Sequence, residues 1–250
     1  MDASLDFDIN RQPDSTTCGP TCLHAVYRYY NDSISLPEII SEVSLIEAGG
    51  TLEVYLACHA LRRGYKTTIF PYNLQIFDPT WSALPRREIA DKLRRQLSYK
   101  NDIPGFELVT RAYLEYLELG GRLKFEVLTA SLIRRYLKRS NPILTGLSAT
   151  YLYNEAREYG TGSEFAYDDI RGESSGHFVV LTGYNREDRS VSVADPLKKN
   201  PIAASRYYAV SIYRLVCAIM LGILSYDGNL LIIHAKKRKL NQANRSIMLK

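Results

Sequence analysis

The sequence predicts an α+β protein, with helices first and a hairpin-rich antiparallel sheet later. Two observations carry this prediction. Apolar residues downstream of Cys18 recur at helical spacing, whereas residues 178–184 and 190–194 are short apolar runs on either side of a turn at 185–188.

The elements follow in order. Cys22, Leu23, Val26, Tyr29 and Tyr30 lie at helical spacing, and Pro20 stands where a first turn tolerates it, so a helix begins close to Cys18. Ser35-Leu36-Pro37-Glu38 has the form of a capping box and starts a second short helix. Gly49-Gly50-Thr51 reads as a loop with a Thr cap, leading into a third helix that carries Leu52, Val54, Tyr55, Cys58, His59 and Leu61 and ends at Gly64. Residues 66–70 read as a strand. Within 73–129 the pattern turns helical, at Arg86–Leu97 and again from Phe106 until Gly120-Gly121, and this segment is expected to be a helical insertion or lid within one domain spanning 1–250. Thr129 caps a helix over 131–139, and 143–147 is a buried strand. Residues 153–175, rich in Gly, Ser, Asp, Glu and Tyr, read as a long loop of the kind that carries function. Residues 207–210 and 230–234 add strands with a helix between, and 236–250 form a basic tail.

Composition narrows the function. A chain of 250 residues with 46% hydrophobic and 24% charged residues can bury a substantial core, which excludes disordered, collagen-like and disulfide-framework proteins. The net charge of +5 is a mild excess of 32 basic over 27 acidic residues, part of it in the tail, so no basic surface for nucleic acid is expected. The N-terminus MDASLDFDIN has neither the basic nor the apolar region of a secretory signal, and the apolar stretch 215–233 is broken at 225–229, so no membrane span and a cytoplasmic location are expected. Four cysteines without secretory context suggest free thiols. Cys18 and Cys22 lack a second ligand pair, so neither a metal nor any other cofactor is expected. Cys22, Cys58 and Cys217 fall in apolar helical patterns and read as core.

Cys18 differs from the other three. A thiol at a helix start has unpaired backbone N–H groups aimed at it, and the helix dipole favours thiolate over thiol. Gln12, upstream in a polar extended segment, can offer its amide beside the Cys18 N–H as an oxyanion hole. His177 opens an apolar strand and can serve as the base; Asp195 ends the next strand and can accept the other ring N–H, completing a nucleophile, base and orienter.

Gln12, then Cys18-Gly19-Pro20-Thr21-Cys22-Leu23, then Gly176-His177-Phe178-Val179-Val180-Leu181 and Asp195-Pro196 together resemble the bacteriocin-processing, double-glycine-leader peptidases and their stand-alone relatives. These are papain-like cysteine peptidases. The resemblance implies a papain-like fold, with Cys18 as nucleophile, His177 as base, Asp195 as orienter and Gln12 in the oxyanion hole. It also implies a peptide or protein substrate cleaved through a thioester. More distantly the chain resembles phytochelatin synthases, which implies acyl transfer to an amine as the alternative chemistry. A third alternative is a module of the same fold that holds a peptide without cutting it.

Overall fold

The computed structural model describes residues 2–46, 49–100, 102–161, 164–225 and 228–236. Its elements are β1 (Ala3–Ser4), α1 (Cys18–Tyr29), α2 (Leu36–Glu42), α3 (Glu53–Arg62), β2 (Lys66–Pro71), α4 (Arg86–Leu97), α5 (Phe106–Glu118), β3 (Arg122–Leu123), α6 (Ala130–Leu137), β4 (Ile143–Ser148) and α7 (Ala149–Tyr153). They continue with β5 (Glu158–Thr161), β6 (Glu164–Tyr167), β7 (Gly176–Asn185), β8 (Ser190–Ala194), β9 (Tyr207–Ser211), α8 (Ile212–Leu221) and β10 (Asn229–His234).

Most strands join one sheet in the order β3-β2-β10-β4-β7-β8-β9, with β1 also pairing β7. Its pairs are antiparallel apart from β2 with β3. The α+β expectation therefore holds, although β1, β2 and β3 bring the first half of the chain into the sheet as well.

The central strand β7 is buried along nearly its whole length, so both of its faces need a cover. Phe178 and Val180 join Leu144 and Ile233 in one core with α1, α2 and α3, to which α4 and α5 contribute Ile89, Leu93, Phe106 and Tyr116. Val179 and Leu181 face the second core, with Leu132 and Ile133 of α6 and Leu215 and Ile219 of α8. Helices thus cover both sides of the sheet, with α1 on one and α6 and α8 on the other.

The α2 capping box forms as expected, with the Glu38 N–H donating to Ser35 and the Glu38 carboxylate accepting the Ser35 N–H at 3.1 Å. The Thr129 hydroxyl caps α6 by accepting from the Leu132 N–H at 3.1 Å. Thr51 does not cap α3. Its hydroxyl donates to the Ser44 carbonyl at 2.7 Å and Leu52 is the capping residue, without a side-chain bond. Thr51 lies one residue before the cap position and is wedged against α1, where a Cβ added to Gly19 would meet its Cγ2 at 2.6 Å. Residues 153–175 are likewise not one loop, since α7 ends at Tyr153 and β5 and β6 form a separate hairpin. Cys22 and Cys58 are core, but Cys217 is exposed, because it lies on the side of α8 turned away from the sheet. The basic tail beyond Lys236, and Gly162 and Ser163, lie outside the described residues.

A relay running from the core to the surface ties α1, α2 and α3 together: Tyr27 Oη lies 2.8 Å from His59 Nδ1, and His59 Nε2 lies 2.9 Å from the exposed Glu42 carboxylate. Burial disfavours the charged imidazole and lowers the His59 pKa, against the opposing pull of Glu42.

Two outcomes follow for stability. Gly19→Val should destabilise the protein by about 1–3 kcal/mol in chemical denaturation, because Thr51, Leu56 and Phe178 already crowd the position. Because the folded His59 resists protonation, the unfolded chain takes up the proton first, so the contribution of His59 to stability should fall as pH drops below about 6.5. His24 and His234 are lowered by burial and act in the same direction. Unfolding midpoints at neutral and mildly acidic pH check this, and His59→Gln should make the dependence shallower.

Candidate active site

Strand order places His177 and Asp195 together. Gly176 opposes Ser148 at the end of β4, and Ala194 pairs with Val180, so the chain leaves β8 level with the start of β7. His177 Nε2 and Asp195 Oδ1 are 2.9 Å apart, with 7% and 0% of each residue exposed.

Asp195 carries further bonds. Oδ1 also accepts the Leu197 N–H at 2.9 Å, while Oδ2 accepts the hydroxyls of Tyr153 and Tyr208, each at 2.7 Å, and the Asn200 amide at 2.9 Å. Burial works against the ionised carboxylate, but His177 and these donors outweigh it and hold the Asp195 pKa at about 2. For His177 the cost of burial is overcome by the Asp195 charge and by a hydrogen bond and charge interaction with Cys18, so its pKa is raised. Nε2 is engaged with Asp195, and Cys18 lies near enough to the ring to favour its protonated form.

Cys18 is the first residue of α1, and no side chain caps that helix; the Thr17 hydroxyl is occupied with Asp14 instead. Pro20 has no N–H, and the Thr21 N–H is taken by the Thr17 carbonyl, so the uncapped amides of the first turn lie at Cys18 and Gly19. One turn further on, the Cys22 thiol points at the Phe178 carbonyl at 3.3 Å and anchors α1 to β7. Burial, with Cys18 and Asp195 adding to it, pushes the Cys22 thiol far up, and burial pushes Cys58 to about 12, so neither is a nucleophile.

Gln12 is buried beside the same sheet end. Its N–H donates to the Pro196 carbonyl at 2.8 Å, and Lys198 reaches the Pro13 carbonyl, so the 12–17 loop is pinned to the segment following Asp195. The Gln12 amide nitrogen donates one hydrogen to the Asp14 carbonyl at 2.8 Å, leaving the second available, and its oxygen has no partner among the described residues.

A cleft of about 430 Å³ begins immediately before Gly176, lined by Ser148, Arg157, Glu173, Ser174 and Ser175, and a neighbouring one of about 460 Å³ shares Ser148 and Ser174 and extends to Tyr151 and Glu155. No group of residues suited to hold a metal occurs among the described residues.

The four residues singled out from the sequence thus converge on one end of the sheet. Sequence reasoning missed Tyr153, Tyr208 and Asn200 as partners of Asp195. Their one visible trace was the abundance of tyrosine, 19 in all, which does not say which of them reach a carboxylate.

No curated protein matches the chain. Two solved structures are similar over most of its length. One is described as a C39-like peptidase from Bacillus anthracis, at 14% identity over 94% of this chain and 98% of the other, with a TM-score of 0.47. The second is a double glycine motif protease from an AMS/PCAT transporter in complex with the leader peptide, at 12% identity over 94% and 95%, with a TM-score of 0.43. The model of the family described as "Peptidase_C39 like family" matches residues 4–214, most of the chain and all four converging residues, and the protein belongs to that family.

Proposed function

We propose that the protein is a cysteine peptidase in which Cys18 is the nucleophile, His177 the acid and base, Asp195 the orienter and Gln12 an oxyanion donor. The observation that carries this reading is the buried His177–Asp195 pair, with Cys18 close to the same imidazole at an uncapped helix start. Membership of a peptidase family supports it.

The chemistry follows from the geometry. The Cys18 sulfur attacks the scissile carbonyl carbon as a thiolate, forming a C–S bond, and the carbonyl π electrons move to oxygen. That oxyanion is met by the first-turn amides of α1 and by the free hydrogen of the Gln12 amide. The intermediate collapses as His177 gives its proton to the departing amine, leaving a thioester. Water, deprotonated by His177, then attacks the thioester and releases the carboxylic acid and Cys18. Asp195 keeps one ring tautomer throughout and stabilises the imidazolium.

The test uses alkylation by iodoacetamide, read by peptide mass spectrometry in the full chain. Cys18 should react selectively at about pH 6, below the ordinary thiol range, and lose that advantage in His177→Ala. Exposed Cys217 serves as the internal reference. Equal rates at Cys18 and Cys217 in both proteins would refute the reading. Cys18→Ala should abolish cleavage of a mixed peptide library. Gln12→Ala should lower turnover about 10²-fold while leaving alkylation unchanged, because displacement of iodide forms no oxyanion.

A further inference from the structure

The five hydrogen bonds to Asp195 are divided unequally. Oδ1 accepts His177 and the Leu197 amide, whereas Oδ2 accepts both tyrosine hydroxyls and Asn200. The tyrosines come from separate elements, Tyr153 from the end of α7 and Tyr208 from β9, yet converge at 2.7 Å on the oxygen that does not face His177. The Tyr153 ring also packs against the imidazole, with centroids 6.1 Å apart and planes inclined by 53°.

We propose that Tyr153 and Tyr208 are positioning residues of the reaction, fixing the rotation of the Asp195 carboxylate so that Oδ1 stays aimed at His177 and the imidazole stays paired with Cys18. The proposal rests on the peptidase reading above. A carboxylate turns about a single bond, and two donors held on different elements at one oxygen remove that freedom more firmly than the histidine could alone. The titratable groups facing Asp195 are Cys22 of α1, His177 of β7, Tyr153 of α7 and Tyr208 of β9, and Cys18 of α1 faces His177 and Tyr153 in turn. Burial, followed by the Asp195 charge, pushes both phenols far up, so they keep their protons and act toward Asp195 only as donors.

The test compares the pH dependence of Cys18 alkylation by iodoacetamide in the full-length wild type, Tyr153→Phe, Tyr208→Phe and His177→Ala. Phenylalanine keeps the ring and removes the hydroxyl. Each Phe variant should slow alkylation about 3- to 10-fold near pH 6, where reactivity depends on the imidazolium, and leave it unchanged near pH 10, where a thiol ionises unaided. Full wild-type rates in both variants near pH 6 would overturn the proposal, and so would an equal slowing at both pH values, which marks altered packing. If one variant fails to fold, the other decides. A wild-type Cys18 no faster than that of His177→Ala would instead refute the peptidase reading, and the tyrosine role with it.

Discussion

Everything at the end of the sheet depends on keeping one buried carboxylate ionised. Asp195 has no exposed surface, and an ionised carboxylate removed from water costs several kcal/mol unless its oxygens are satisfied by donors and a counter-charge. Its donors come from α7, β7, β9 and the segment after β8. Tyr153, His177 and Tyr208 reach Asp195 together only when β4, β7, β8 and β9 are paired in order. The carboxylate therefore couples correct strand pairing to the assembly of the site, since a slip of one residue would turn His177 to the opposite face and strand a buried charge.

The sheet also divides the work between its two sides. The helix carrying Cys18 packs on one face, while Tyr153 and Tyr208, which hold Asp195, pack with the second core. Cys18 on α1 and His177 on β7 thus come from different elements and approach each other at this end of the sheet. Phe178 fastens the layers together at that point, because its ring lies against Gly19 and its carbonyl receives the Cys22 thiol. A single turn of α1 therefore holds two thiols in different settings. Cys22 is deeply buried, its thiol pushed up and pointed at the Phe178 carbonyl, while Cys18 stands at the uncapped start of the helix near His177.

The comparisons fix the family, whereas the chemistry assigned to individual residues rests on their geometry. The same geometry bears on the alternatives. A module that only held a peptide would have no use for a buried imidazole–carboxylate pair beside a thiol, so that arrangement favours catalysis. Hydrolysis and acyl transfer to an amine share every step up to the thioester, and differ only in the nucleophile that then attacks it.

Local rules in the sequence determined much of this protein. The capping box at Ser35, the Thr129 cap, the helices over Arg86–Leu97 and from Phe106, and the apolar strands Ile143–Ser148 and Gly176–Asn185 all follow from residues within one or two turns of each other. The four candidate site residues were legible too, because a helix start, two strand ends and a polar lead-in are local features. Only the tertiary structure decided the strand order, the diversion of Thr51 from its helix to Ser44, the hairpin within 153–175, the exposure of Cys217 and the convergence of Tyr153, Tyr208 and Asn200 on Asp195. Each of these depends on a partner distant in the chain or on which face of an element meets solvent. Periodicity records that a side chain is buried or turned outward, and carries no information about which distant group it will meet.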